Sequence, residues 1–455
     1  MAFFGFSGAK DTGNFRLNIQ KNKTVVKSSI TYHGLFHEYY FHTGKPETEK
    51  ILSIEPFCGI TKNLETQENE YYCCLATKSK YDGEGIKKFG RPLLNCVIVL
   101  DISGSMSCSF AGDRDQTERK STKLEVAKRT ILGLVKHLKD DDNFGIVIFD
   151  DSADELIEFK RYGDIDKEKM NEKITQLRTR GGTNMAEGFI EGSRMIDEYL
   201  KKQEKEDVHE HRILFLTDAH PTTGETRQEG LFSLAKKAAA KGIYTTFIGI
   251  GVDFNTELIE VISKTKGCNY YSVNSSSEFK RRMDTDFDYI MTPIGFDVVI
   301  RVEGAKILSI YGSPESDSAK DTTISKLSTV MPSNVDDKGE TQGGVLVLKM
   351  DPTVSDGIPF KVIIEYKDKF EKEYQEITSV CFPTLNKDQN ELFESSNVRK
   401  SVLLIRLVDL IKDFNNDEQS KQKARNFLDH LKSEIQIIND EKLNREVDLV
   451  NDLLN

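Results

Sequence analysis

The chain has 455 residues, and at roughly 150 residues per domain that length favours two or three domains over one. Its 63 lysines and arginines stand against 74 aspartates and glutamates, a formal net charge of −11, which argues against a protein that works by neutralising nucleic-acid phosphates. With 38% hydrophobic and 30% charged residues the composition excludes general disorder, and 26 phenylalanines and 15 tyrosines can fill cores in the absence of tryptophan.

The cysteine count is seven, odd, with only Cys73 and Cys74 close in sequence and no C-x-x-C spacing. That pattern speaks against a disulfide framework and a zinc knuckle. The first residues, Met1-Ala2-Phe3-Phe4-Gly5-Phe6-Ser7, lack a basic n-region followed by an apolar stretch, and no uncharged apolar window is long enough to span a membrane. The expectation is an intracellular, cytoplasmic chain without a membrane span; the short sequons at Asn22 and Asn274 do not outweigh it.

From about residue 14 to 94, short β-branched and aromatic runs such as Thr24-Val25-Val26 and Glu38-Tyr39-Tyr40-Phe41 alternate with Gly, Asn and Pro signals, which predicts an antiparallel β region. From Asn95 to about Met291, apolar strands alternate with amphipathic helices, the pattern of a doubly wound, mostly parallel sheet in an α/β unit. The predicted strands are 96–100, 144–149, 213–216 and 244–250, with helices near 121–138, 184–203 and 226–241, the last closing at Gly242. After Pro293 the β texture returns in 296–302, 344–348 and 360–366, while the polar stretch around 313–342 reads as turns and loop. From Asn390 the period is helical, with Leu403, Leu404, Leu407 and Ile411 on one face, then Phe427, Leu428, Leu431 and Ile435, then Leu443, Val447, Val450 and Leu454. The expected layout is a β region over 1–94, the α/β domain over 95–291, a β region over 292–386 and a helical bundle over 387–455. The two flanking β regions either form one antiparallel β-sandwich into which the α/β unit is inserted, or two separate small domains.

Chemistry concentrates at Asp101-Ile102-Ser103-Gly104-Ser105, directly after the first buried strand. An apolar strand here delivers a carboxylate and two hydroxyls to the carboxyl edge of a parallel sheet, where open α/β folds bind ligands. Two further segments reach the same kind of edge: Arg180-Gly181-Gly182-Thr183-Asn184, a glycine-rich loop opening a helix, and Leu216-Thr217-Asp218-Ala219, a carboxylate at a strand end. Taken alone, Thr183 also fits a helix N-cap and Asp218 a turn residue. Together, Asp101, Ser103, Ser105, Thr183 and Asp218 form an oxygen-only donor set suited to a hard cation such as Mg²⁺, with Mn²⁺ or Ca²⁺ as alternatives.

At these residues the chain resembles the von Willebrand factor type A domain and its metal-ion-dependent adhesion site. The resemblance covers about residues 94–291: the D-x-S-x-S, the threonine loop and the strand-end aspartate occur in family order, and Asp142-Asn143-Phe144-Gly145-Ile146-Val147-Ile148-Phe149 resembles the family's second strand. It implies Ser103, Ser105 and Thr183 as direct metal ligands, with Asp101 and Asp218 held largely through coordinated water. It also implies a binding module and no enzyme: a partner protein's Asp or Glu side chain completes the shell, and binding is coupled to the domain's last helix, here about Ser277 to Met291. Ala219 stands where many members have glycine, and the polar insertion from about Ser107 to Ser121 lies beside the metal loop as a lid, a specificity loop or a solvated excursion. Architecturally, the flanking segments resemble intracellular and bacterial proteins in which such a domain is followed by a further segment, and also the heavy chains of inter-alpha-trypsin inhibitor.

Other readings compete. The chain could be a structural or assembly subunit, homo- or hetero-oligomeric, whose metal site is a latch. An aspartyl phosphotransferase needs a second acid two residues after Asp101, where Ser103 stands. A serine hydrolase needs a histidine base; of His137, His209, His211 and His220 only His220 is predicted near this edge, and no G-x-S-x-G elbow exists. Gly249-Ile250-Gly251 lacks the third glycine of a dinucleotide fingerprint. Asp113, Asp115 and Glu118 in the insertion form either a second cation site or a solvated acidic loop.

Overall fold

The computed structural model describes residues 30–42, 49–109, 121–203, 208–218, 221–250, 265–273, 285–312, 322–386 and 389–454. The chain divides into two compact units, one continuous, Gly85–Phe296, and one discontinuous, Met1–Glu84 with Asp297–Asn455.

The continuous unit is built on six strands: β1 (Leu94–Asp101), β2 (Asn143–Phe149), β3 (Ala153–Arg161), β4 (Glu210–Thr217), β5 (Ile243–Ile250) and β6 (Asn269–Val273). Their order in the sheet is β3-β2-β1-β4-β5-β6, and every neighbouring pair is parallel except β2 with the edge strand β3. β1 and β2 are buried at every residue, which is why they read as unbroken apolar runs. Besides the short Glu84–Phe89 at its start, the described helices are α1 (Lys123–Leu134), α2 (Lys167–Gln176), α3 (Met185–Leu200), α4 (Gln228–Ala239) and the short α5 (Phe287–Met291). Val97, Val99, Val147, Phe149, Ile213 and Phe215 form one core with α3 and α4, and the alternate residues Ile98, Leu100, Ile146 and Leu214 are equally buried on the opposite face.

Glycine decides how closely α3 lies on the sheet. A Cβ at Gly192 would stand 2.5 Å from Val99 Cγ2, and one at Gly188 would stand 2.7 Å from Phe149 Cδ1. The Gly188-x-x-x-Gly192 face therefore lets the helix backbone approach β1 directly, which seats the loop before α3 against the end of β1. At its other boundary α1 starts in a capping box: Thr122 Oγ1 accepts from Glu125 N while the Glu125 carboxylate accepts from Thr122 N.

In the discontinuous unit, strands from both ends of the chain share a sheet. Ser53–Lys62 and Asn69–Lys78 form an antiparallel hairpin; Asn69–Lys78 pairs with Val345–Met350, which pairs with Ile307–Tyr311, and the two-residue strand Leu392–Phe393 flanks Ser53–Lys62. A second antiparallel sheet orders Thr323–Val330, Gly295–Glu303, Phe360–Lys367 and Glu373–Val380. Helices Ser396–Asp413, Glu418–Ile438 and Asn444–Leu454 end the chain, and Leu403, Leu404, Leu407, Ile411, Phe427, Leu431, Leu443 and Val450 are buried with Leu35, Phe36, Cys74 and Val347 in one core. The α/β class with flanking antiparallel sheets and C-terminal helices is the fold read from the sequence.

Several details differ from that reading. The stretch read as β from residue 14 contains a helix, Tyr32–Phe36, started by Thr31, whose hydroxyl accepts from Gly34 N at 3.0 Å; Thr24-Val25-Val26 lies outside the described residues. The segment read as loop around 313–342 contains the strand Thr323–Val330, in which Ile324, Leu327 and Val330 are buried among Thr, Ser and Lys. β3 was missed because only Ile157 in Ala153–Arg161 is buried, so this edge strand shows no apolar run. Among the described residues no helix is long and apolar enough to cross a membrane.

Candidate metal site

Three loops meet at the carboxyl ends of β1 and β4. β1 ends at Asp101, and a single 3₁₀ turn, Gly104–Ser107, follows with Ser103 as its N-cap. The Asp101 carboxylate is wholly buried and fixed on both oxygens: Oδ1 accepts from Ser103 N at 2.8 Å and Oδ2 from the Thr217 hydroxyl at 2.7 Å. Burial pushes the Asp101 carboxyl up to about 6 against these hydrogen bonds, and the neighbouring Asp218 charge adds to the rise. Ser103 Oγ and Ser105 Oγ lie 3.1 Å apart, the first buried and the second half-buried.

The threonine loop is tied to this turn through its backbone. Arg180 N donates to Ile102 O at 2.8 Å, and Gly104 N donates to Gly181 O at 3.1 Å. Gly181 has φ +63°, and a Cβ there would stand 2.7 Å from Asp151 Oδ2, so the loop needs glycine both for its backbone and for the close carboxylate. Thr183 is buried; its N–H donates to Thr222 Oγ1 at 2.9 Å and its carbonyl accepts from Thr222 N at 2.9 Å, which joins the second loop to the segment after Asp218. The N-cap of α3 is Asn184, whose side chain accepts from Glu187 N, so Thr183 is not spent on capping the helix.

Asp218, the residue after β4, is wholly buried. Its Oδ2 accepts from Lys123 Nζ at 3.0 Å, and its Oδ1 has no hydrogen-bond partner among the described residues. A buried carboxylate oxygen without a donor costs on the order of 1–3 kcal/mol, more where it carries charge, unless a ligand satisfies it. The donor chemistry around it is hydroxyl and carboxylate oxygen; among the described residues no group of three or more His, Cys, Asp or Glu side chains gathers as a metal cluster. Two carboxylates, one with an unsatisfied oxygen, and three hydroxyls fit a hard divalent cation with retained water and do not fit a thiolate or imidazole metal.

The structure thus brings Asp101, Ser103, Ser105, Thr183 and Asp218 to adjoining, mutually hydrogen-bonded loops. Sequence reasoning missed three participants: Thr217, which anchors Asp101, Thr222, which anchors Thr183, and Lys123, which pairs with Asp218. Thr217 and Thr222 flank Asp218 closely enough for their hydroxyls to be a signal; Lys123, after a strong N-cap, reads as an ordinary exposed lysine. His211 lies at the start of β4 beside Asn95, the opposite strand end from Asp218, and His137 stacks on Phe287, so neither approaches Ser103. His220, Ala219, Asp113, Asp115, Glu118, most of the 107–121 insertion and residues 277–284 of the expected last helix lie outside the described residues.

Comparison with known proteins agrees on the α/β unit. The family model described as von Willebrand factor type A domain matches residues 95–284. An inter-alpha-trypsin inhibitor heavy chain H3 from Mesocricetus auratus is 20% identical over 220 residues, 48% of this chain and 23% of that protein. An inter-alpha-trypsin inhibitor heavy chain 4 from Mus musculus is 22% identical over 204 residues, 44% of this chain and 20% of that protein. The matched region therefore spans about a fifth of these relatives' length. Among solved structures, the chain is similar to a von Willebrand factor type A protein from Catenulispora acidiphila, with 13% identity, TM-score 0.48 and coverage of 90% of this chain and 91% of that one. It is also similar to the ArnB paralog VWA2 from Sulfolobus acidocaldarius, with 13% identity, TM-score 0.39 and coverage of 89% and 97%. Residues 95–284 of the chain are a von Willebrand factor type A domain, generally a protein-interaction module.

Proposed function

We propose that Ser103, Ser105 and Thr183, with Asp101 and Asp218 behind them, hold a divalent cation, and that the domain uses this site to bind an Asp or Glu side chain of a partner protein without catalysing a reaction. The observation that carries this reading is Asp218 Oδ1, a buried carboxylate oxygen with no hydrogen-bond partner among the described residues, set among loops fixed through Ser103 N, the Thr217 hydroxyl and Thr183 N. When bound, Mg²⁺ would supply a coordination position at which neutral hydroxyl donors leave positive charge for a carboxylate. Asp101 aligns the D-x-S-x-S turn through Ser103 N, Thr217 keeps the Asp101 carboxylate oriented, and Thr222 keeps Thr183 at the loop edge. His211, at the opposite end of β4, and His137, stacked on Phe287, do not approach Ser103 or Ser105, which supports binding over hydrolysis.

The shared sheet of Ser53–Lys62, Asn69–Lys78 and Val345–Met350 supports reading the segments 1–94 and 292–386 as one sandwich interrupted by the 95–291 domain, with 387–455 as its helical end. The seven cysteines are all free thiols, which supports a reducing, cytoplasmic setting. The test is calorimetry with Mn²⁺ and Mg²⁺ on the full chain, followed by capture from native extract with Mg²⁺ or EDTA. Wild type should take up one ion and lose its partner in EDTA; Asp101→Ala and Ser103→Ala should lose both while circular dichroism stays unchanged. Equal partner binding in EDTA refutes the reading, and a metal-dependent change in the chain's own mass by size exclusion would make the site a latch between copies.

A further inference from the structure

A cationic side chain of the protein, the Lys123 ammonium, already stands against Asp218. Lys123 is the first residue of α1, follows the Thr122 cap, and is 1% exposed along its whole side chain. Lysine is almost never this buried unless its ammonium is paired, and here Nζ stands 3.0 Å from Asp218 Oδ2. The capping box fixes the start of α1, so the lysine stem enters the site from a rigid element. The consequence for Asp218 is a division of labour between its oxygens: Oδ2 belongs to the ammonium, and Oδ1 is the one left without a donor.

We propose that Lys123 is a resident counter-charge which orients Asp218 and sets how strongly the site holds a divalent cation. This rests on the cation-site reading above. The formal charges of Asp101, Asp218 and Lys123 sum to −1, so a divalent ion brings the centre to +1; without the lysine the same centre would go from −2 to 0. The ammonium therefore weakens cation binding by direct repulsion, because the Coulomb energy between a unit charge and a divalent ion in a buried site exceeds the value of a hydrogen bond such as that to Asp218 Oδ2. In exchange, the loaded site keeps an uncompensated positive charge, which favours an anionic partner side chain over water. Lys123 also neutralises part of the carboxylate charge before any ion arrives, so the loops keep their arrangement without metal.

The experiment is Mn²⁺ binding to the full chain by calorimetry, with the ion alone as probe. Lys123→Met, which keeps the stem without the charge, should bind Mn²⁺ at least tenfold tighter than wild type, and Lys123→Arg should stay within about threefold of it. Ser103→Ala and Asp218→Asn report on the site itself and should bind at least tenfold more weakly. If those two weaken binding and Lys123→Met does not tighten it, the lysine proposal falls and the cation site stands. If Ser103→Ala and Asp218→Asn leave affinity unchanged, the cation-site reading falls. Should Lys123→Met lose its fold, Lys123→Gln repeats the measurement. The wild type carries an independent readout as well: the ¹H–¹⁵N signal of the Lys123 ammonium should shift on Mg²⁺ addition, and a signal indifferent to Mg²⁺ overturns the proposal.

Discussion

The ion pair between Arg91 and Asp142 allows a quantitative test of what holds the α/β unit at the end away from the site. Arg91 Nη1 and Nη2 donate to Asp142 Oδ1 and Oδ2 at 3.0 and 2.5 Å, with side chains 1% and 0% exposed. The same carboxylate accepts from Leu94 N at 2.9 Å and Lys139 N at 2.7 Å, so it fastens the first residue of β1 to the turn that enters β2. Asp142→Ala leaves the guanidinium with Asp288 and two backbone carbonyls but without its bidentate partner, and leaves two amide donors without an acceptor. Breaking a buried pair from one side costs about 3–5 kcal/mol, a large share of a stability of ~5–15 kcal/mol. Urea unfolding followed by circular dichroism should show this loss in the transition of the Gly85–Phe296 unit, with faster hydrogen exchange at Leu94 and Lys139. The double variant Arg91→Met with Asp142→Leu should cost less than Asp142→Ala alone, because no buried charge remains. A loss below about 1 kcal/mol for Asp142→Ala, with exchange unchanged, would refute this account of the strand end.

Three further outcomes follow from other parts of the chain. Asp101→Asn keeps an oxygen for Ser103 N and an amide for the Thr217 hydroxyl while removing a buried charge, so the metal-free protein should gain about 1–2 kcal/mol in urea unfolding and lose Mn²⁺ binding. Gly192→Ala drives a methyl to 2.5 Å from Val99 Cγ2 and should destabilise by about 1–3 kcal/mol despite better helix propensity; adding Val99→Ala should recover part of that loss in a double-mutant cycle. Burial and then the Arg406 guanidinium push His430 down to about 4, below its unfolded value of roughly 6.5. The unfolded chain therefore binds this proton first as pH falls, and stability present above about pH 6.5 is lost towards pH 4. After discounting for the partly exposed ring this amounts to on the order of 1–2 kcal/mol. Comparing urea midpoints at pH 7 and pH 5, His430→Gln should show the smaller drop.

The α/β unit was legible because its central strands are buried on both faces. Residues 96–100, 144–149, 213–216 and 244–250 all fall within parallel strands of the sheet, since an unbroken apolar run has no other economical placement. Edges were not legible for the converse reason: β3 buries only Ile157, and Thr323–Val330 hides three apolar residues among Thr, Ser and Lys. The C-terminal helices were visible through their periodicity, with Leu403, Leu404, Leu407 and Ile411 all in the core, while Leu428 and Ile435 pack at its margin. The short helix Tyr32–Phe36 depends on one threonine cap, a signal too local to outweigh the aromatic residues around it.

The site divides along a similar line. Asp101, Ser103, Ser105 and Asp218 could be placed at strand ends because an apolar run precedes each loop, Thr183 by its glycine-rich loop before a helix, and the donor types alone suggest a hard cation. Their fixing could not be read, since it depends on contacts distant in sequence: Thr217 with Asp101, Thr222 with Thr183, and Lys123 with Asp218 across 95 residues. That last pair also changes what the net charge of −11 means for function. A surplus of acidic residues distributed over the whole chain says nothing about a buried centre where two carboxylates share one ammonium, because screening removes distant surface charge over about 10 Å while buried pairs keep their full interaction. On the cation-site reading, these three groups sum to −1 before an ion enters and would sum to +1 with a divalent ion, which would favour an acidic side chain even on an acidic protein. Charge reversal at Lys123, by Lys123→Glu, would take the loaded centre to −1. That variant should still bind Mn²⁺, more tightly than wild type, yet fail to capture the acidic partner that wild type captures in Mg²⁺; capture equal to wild type would show that the partner is not recognised by its charge.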